Sequence, residues 1–142
     1  LRARRGALSL AAPVRIAFDE AVHARHVAAL FAQTDWARCR SVADIRVMLD
    51  ADTFHVSAWA DAQLVGFLRV LSAGRFRAFI EDVNVDAEYR GQGVGDALMR
   101  RALEALAPVQ EVVLGCTEDN VGYYERFGFT RAGHATMQRK TS

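Results

Sequence analysis

Ile80-Glu81-Asp82-Val83-Asn84-Val85-Asp86-Ala87-Glu88-Tyr89-Arg90-Gly91-Gln92-Gly93-Val94-Gly95 is the stretch on which the fold turns. Its first residues form an extended, strand-like run. A turn follows, carrying Arg90 and three alternating glycines, and it opens directly onto a helical pattern. Glycine lets a backbone approach an anion closely, and the first N–H groups of a helix then converge on one point. The layout is that of a diphosphate cradle.

Downstream, Val94, Ala97, Leu98, Ala102, Ala105 and Leu106 fall on one helical face, with Asp96, Arg100, Arg101 and Glu104 on the other. Such a helix lies against a sheet, and Pro108 stops it. Residues 111–116 read as a compact apolar strand, residues 121–126 as a short helix ending at Gly128, and 129–139 as a last hairpin. Upstream, residues 14–18 alternate as a half-buried strand. Asp19 is expected to cap a helix over 20–33, and Ser41 a second helix, with Asp44 three residues on as a short capping box. A turn containing Trp36 separates the two. Strands over 54–60 and 64–71 are joined at Asp61-Ala62-Gln63, and a third strand of this meander runs from about 76 to 85. Antiparallel strands followed by a strand–helix–strand crossover describe a mixed α/β (α+β) sandwich with helices on both faces.

Composition bounds the function. A chain of 142 residues, 51% hydrophobic, fits one domain with a proper core, taken here as residues 13–142. Eighteen Lys+Arg against seventeen Asp+Glu leave +1, which gives no general reason to expect nucleic acid or an acidic membrane as partner. The basic cluster Arg2, Arg4, Arg5 and the apolar run behind it are read as a flexible N-terminal leader over 1–12 rather than a signal peptide. No window reaches the ~18–20 apolar residues of a membrane span. Cys39 and Cys116 lie far apart and form no CxxC, so a cytoplasmic location is expected. His23 and His26 have no acidic or cysteine cluster beside them, and no metal is expected.

A glycine-rich turn by itself is a weak signal. A Walker loop needs Gly-Lys-Ser/Thr, but Asp96 follows Gly95. A dinucleotide fingerprint begun at Gly93 would need Gly or Ala where Leu98 stands, and would sit in the first βα unit rather than after four candidate strands. A merely tight turn leaves Arg90 and the glycine spacing unexplained. Strand, Arg-x-x-Gly-x-Gly and helix together resemble the acetyl-CoA-binding motif of the GNAT (GCN5-related N-acetyltransferase) superfamily. Asn120-Val121-Gly122-Tyr123-Tyr124-Glu125-Arg126-Phe127-Gly128-Phe129 is similar to its second signature, in the right order, one helix and one strand later. The resemblance spans residues 79–130, and Ala87 stands where many relatives have Pro.

What this resemblance implies is a mostly antiparallel sheet of six to seven strands, splayed between strands 4 and 5, and transfer of an acetyl group from acetyl-CoA to an amine. Backbone groups of Val83, Asn84 and Val85 would pair with the pantetheine arm. Arg90 and the amides of Gly91, Gln92, Gly93, Val94, Gly95 and Asp96 would hold the diphosphate, with the Asp96 side chain turned outward. Asn120 would bond the pantetheine, and Tyr124 would donate a proton to the departing thiolate. Strand alternation places Glu81 on the side of Val83 and Val85, as general base or water relay, or else as an ammonium binder. Asp82 points to the other face unless a bulge intervenes.

The acceptor is the open question. The resemblance builds its pocket from the first two helices, their connecting turn and the last hairpin, here Trp36, Arg38, Arg40, the turn at residues 75–77 and residues near His134, with Glu81 and Asp82 as further substrate contacts. Local similarity to glucosamine-6-phosphate N-acetyltransferases favours a sugar phosphate bound by Arg38, Arg40 or Arg75. Similarity of the segment from Trp36 to Leu71 to small bacterial and plastid acetyltransferases favours an arylalkylamine or a polyamine. Protein amines, a non-catalytic acetyl-CoA sensor and a DNA-binding N-terminal arm are the other readings. A homodimer is expected, through pairing or swapping of the final hairpin.

Overall fold

The computed structural model describes residues 13–141; the expected leader over 1–12 lies outside them. In chain order the elements are β1 (Val14–Phe18), α1 (Ala24–Phe31), α2 (Val42–Ala51), β2 (Phe54–Ala60), β3 (Gln63–Ser72), β4 (Arg77–Val85), α3 (Val94–Ala105), β5 (Glu111–Val113) and α4 (Val121–Glu125). Single 3₁₀ turns occupy Ala87–Tyr89 and Glu118–Asn120. The sheet runs β1-β2-β3-β4-β5. Its first three pairings are antiparallel, and α3 crosses over to make β4 and β5 parallel.

Alternation along the strands sends side chains into two cores. Val56, Leu68, Val70 and Ile80 pack with Leu98 and Met99 of α3 on one face. Phe67 and Leu64 pack with Val27, Leu30, Phe31 and Ile45 on the other, under α1 and α2. Gly66 lets α3 settle on the sheet, because a Cβ there would lie 2.9 Å from Val94 Cγ1 and 3.0 Å from Leu98 Cδ1.

Three features position the site. β5 pairs with β4 only at Arg77, Ala78 and Phe79, so β4 from Ile80 onward has no strand on that side and the sheet parts there. Second, β4 carries a bulge. Phe67 lies opposite Asn84 and Arg69 opposite Glu81, so Leu68 alone faces both Asp82 and Val83. Asp82 absorbs the extra residue with φ +56°. Third, Gly91 and Gly93 take φ +74° and +85°, which turns the chain into α3.

Several expectations need correction. α1 begins at Ala24, with His23 Nδ1 accepting from Arg25 N, rather than at an Asp19 cap. Asp19 N donates to His55 O and His55 Nε2 bonds Glu20 O, so the segment is tied to β2 before the helix can start. Asp19 itself sits at φ +50°. Ser41 does cap α2, accepting from Asp44 N at 3.1 Å. β5 is three residues long, because pairing stops where the sheet parts. No strand forms over residues 129–141, which are almost wholly exposed, so the described sheet has five strands rather than six to seven and the final hairpin is not formed.

Candidate active site

The gap beside β4 opens into a cleft of about 590 Å³ between the end of β4, the glycine turn and α4. It brings together every residue expected around the cofactor except Gln92, whose side chain instead donates to Glu88 O. Asp86 N donates to Val65 O, so by alternation the Val85 carbonyl points away from β3 and into the gap. Arg90 Nε donates to that carbonyl at 3.0 Å. Asn84 contributes backbone here; its side-chain amide is buried and donates to Leu30 O on the α1 face.

The cradle fits an anion. Gly93 occupies the N-cap of α3 without a side-chain cap, leaving the first helical N–H groups with no intrahelical partner. A Cβ built at Gly91 or Gly93 meets nothing within 4 Å, so the space in front of the turn is open. Gly95 has a different reason to be glycine: a Cβ there would lie 2.9 Å from Tyr123 Oη.

That phenol donates to Asp96 Oδ1 at 3.0 Å, and Arg126 Nη2 donates to Asp96 Oδ2 at 2.7 Å. Asp96 is therefore held against α4 and does not point outward as expected. The Arg126 bond leads in holding its carboxyl below the usual range, with the Tyr123 bond also contributing. Tyr123 is pushed well above an ordinary phenol, first by burial and then by its bond to Asp96. Tyr124 is raised too, by burial and by neighbouring Cys116. Its ring packs against Tyr123 and Phe129 at centroid distances of 5.0 and 6.2 Å.

The bulge rearranges the expected acceptor side. Glu81 is paired in register with Arg69, so the two share a face, and Asp82 joins them: its Oδ2 accepts from Arg69 Nε at 2.6 Å and Arg40 Nη1 at 2.9 Å. Val83 and Val85 pack with the α3 core on the opposite face. The expected common side for Glu81, Val83 and Val85 is thus wrong, because one extra residue shifts the alternation. Asp82 is committed to two guanidinium groups, and Arg69 also donates to Asp52 at 2.8 Å. Glu81 is half-buried, with no recorded partner among the described residues. Arg40 lies over the Phe31 and Trp36 rings, 5.2 and 5.9 Å from their centroids. Trp36 is 54% exposed. Arg38 is exposed and 3.9 Å from Asp35.

Tyr89, Tyr123 and Arg126 also line the cleft and were not anticipated. The available signal was their spacing: positions 123 and 126 share a helical face beside the one that carries Asn120 and Tyr124. Among the described residues no His, Cys, Asp and Glu group is arranged to hold a metal, and no helix is long and apolar enough to cross a membrane.

The open mixed sheet parts beside a glycine turn that leads into α3, and comparison with known proteins gives the family. The sequence model of the Acetyltransferase (GNAT) family matches residues 15–129, and the chain belongs to that family, whose acyl donor is acetyl-CoA. Among curated relatives, the chloroplastic GCN5-related N-acetyltransferase 2 of Arabidopsis thaliana is 37% identical over 71 residues, 49% of this chain and 28% of its own length. Glucosamine 6-phosphate N-acetyltransferase 1 of Oryza sativa subsp. japonica is 36% identical over 87 residues, 60% and 52% respectively. The chain thus matches about half or less of these relatives' length. Among solved structures, a Streptococcus pneumoniae TIGR4 GNAT-family acetyltransferase superposes with TM-score 0.75 at 26% identity, over 90% of this chain and 100% of that one. A Deinococcus radiodurans R1 protein gives 0.76 at 30%, over 89% and 88%.

Proposed function

We propose that this chain is an acetyl-CoA-dependent N-acetyltransferase acting on a primary amine of a small molecule, by direct attack within a ternary complex. The observation that carries this reading is the meeting, in one cleft, of the uncapped α3 N-terminus, the unpaired edge of β4 and the Tyr124 phenol. The acceptor amine enters from the α1–α2 face, where Glu81 stands. Its nitrogen attacks the thioester carbonyl, the C–S bond breaks, and acetyl passes to nitrogen. Tyr124 gives its proton to the departing sulfur and regains one from solvent. A phenol raised above its ordinary value stays protonated at neutral pH and is suited to this. An amine of pKa ~10 must lose a proton to attack, and Glu81 takes it directly or through water. A main-chain amide near Val83 facing the carbonyl oxygen would supply ~3–4 kcal/mol at the tetrahedral stage.

Charge on the acceptor side supports a monoamine. Asp82 is occupied by Arg69 and Arg40, which leaves Glu81 as the free carboxylate and argues against a polyamine. Arg75 lies in the β3–β4 turn, outside the strand that carries Glu81, and Arg40 is bonded to Asp82, so neither supports a sugar phosphate as strongly as Glu81 supports an amine. Exposed Trp36 offers a ring face to an apolar or aromatic amine body.

The test is thiol release from acetyl-CoA across a panel of arylalkylamines, polyamines, amino-sugar phosphates and peptides. Turnover strongest with a monoamine and lost in Glu81→Gln supports the reading. Tight acetyl-CoA binding with no turnover on any amine would overturn it in favour of a sensor.

A further inference from the structure

Asp96 poses a problem for the cradle: a carboxylate at the third position of α3 stands beside the N–H groups expected to receive an anion. Resting on the donor-binding reading above, we propose that Arg126 is a phosphate ligand of the donor, held ready at the cleft by Asp96.

Three observations lead there. Arg126 lines the same cleft as Gly91 and Gly93. It is placed by contacts on two sides: the 2.7 Å bond to Asp96, and the faces of Tyr123 and Phe127, whose centroids lie 5.3 and 5.7 Å from its Cζ. Tyr123 fixes the other oxygen of the same carboxylate and rests on Gly95. The guanidinium is thus aimed by a framework built on the cradle itself.

Its donors are largely unspent. A guanidinium carries five N–H donors, and one hydrogen bond to Asp96 is recorded. The side chain is 55% exposed, so the others are open to a ligand. Bonding to Asp96 neutralises that carboxylate, which would otherwise repel a phosphate, and leaves the planar fork able to bridge carboxylate and phosphate together. An ordinary surface ion pair accounts for the Asp96 bond but not for its place at the mouth of an anion site.

Calorimetric titration of wild type and Arg126→Gln with CoA, and with dephospho-CoA, which lacks the 3′-phosphate, tests this. The expected result is CoA affinity about tenfold lower in Arg126→Gln, with Arg126→Lys recovering part of the loss, and a similar loss on adding Arg126→Gln to Asp96→Asn, where no carboxylate is left to neutralise. A loss confined to CoA assigns Arg126 to the 3′-phosphate, and an equal loss with dephospho-CoA to the diphosphate. In parallel, turnover with S-acetylpantetheine, which has no CoA phosphates, reads any displacement of α4 caused by losing the Asp96 bond, and the loss with acetyl-CoA should exceed it about tenfold. Unchanged CoA affinity in Arg126→Gln, or an equal loss with S-acetylpantetheine, overturns the proposal while leaving the acetyltransferase reading standing. Failure of the wild type to bind CoA at all overturns both.

Discussion

Arg69 Nε donates to Asp82 Oδ2 at 2.6 Å across the bulge of β4, while its Nη1 donates to Asp52 Oδ1 at 2.8 Å. One guanidinium thus serves two carboxylates that are 6% and 1% exposed, and Arg40 reaches Asp82 from the α1–α2 turn. The bulge of β4 is tied by charge to the end of α2 and to the α1–α2 turn.

Arg69→Met leaves Asp52 without its partner in the interior and Asp82 with Arg40 alone. The expected loss is about 3–5 kcal/mol in a urea titration, the cost of breaking a buried ion pair from one side. Met is close in volume, so a much smaller loss would mean the network contributes little.

Asp52 behaves differently. Its Oδ2 has no partner, and burial raises its pKa above 3.8 despite Arg69. A folded pKa above the unfolded one means that Asp52 favours folding when protonated and that this contribution falls as pH rises past 3.8. Asp52→Asn should remove that slope while costing far less than Arg69→Met, as read from stability curves compared between pH 3 and pH 7.

Asp96 has the opposite sign. Its folded pKa lies below 3.8, so its contribution is present above the unfolded value and is lost as pH falls through the folded one. The stability difference between wild type and Asp96→Asn should therefore be largest at neutral pH and shrink below about pH 4. A difference independent of pH would show that the Arg126 and Tyr123 bonds do not depend on its charge.

Gly66→Ala drives a methyl to within 2.9 Å of Val94 and 3.0 Å of Leu98, wedging α3 off the sheet. The expected destabilisation is about 1–3 kcal/mol. Because Val94 opens the helix of the cradle, CoA affinity should fall in the same variant.

Tyr124→Phe keeps the ring packing against Tyr123 and Phe129 and removes only the phenolic hydroxyl. The expected change is a fall in kcat of about 10²-fold or more with the CoA Kd unchanged. An equal change in both would make Tyr124 a binding residue rather than a proton donor.

What could be read from sequence was what is encoded locally. Gly91 and Gly93 announce positive φ, the apolar stripe from Val94 to Leu106 announces a helix on a sheet, and Ser41 with Asp44 announces a cap. The β2–β3 hairpin fell within one residue of its expected bounds. The bulge had no such signal, because its left-handed residue is Asp82, not glycine, and the alternation rule then put Glu81 on the wrong face. The α1 start was displaced by hydrogen bonds from His55, more than thirty residues away in sequence. Tyr123 and Arg126 read as ordinary parts of a short helix, since their partner Asp96 is twenty-seven or more positions distant. The displaced α1 start and the unread Asp96 cluster are long-range contacts overriding a local preference.

The three-residue seam between β4 and β5 has a mechanical consequence. The body after Val113 is joined to the rest by that short ladder, by the Asp96 clamp and by apolar packing of Leu114, Phe127 and Phe129. Residues 114–128 should therefore breathe as a jaw, exchanging amide hydrogens faster than β2 and β3 do. A donor bridging both sides would slow that exchange by closing the jaw upon itself.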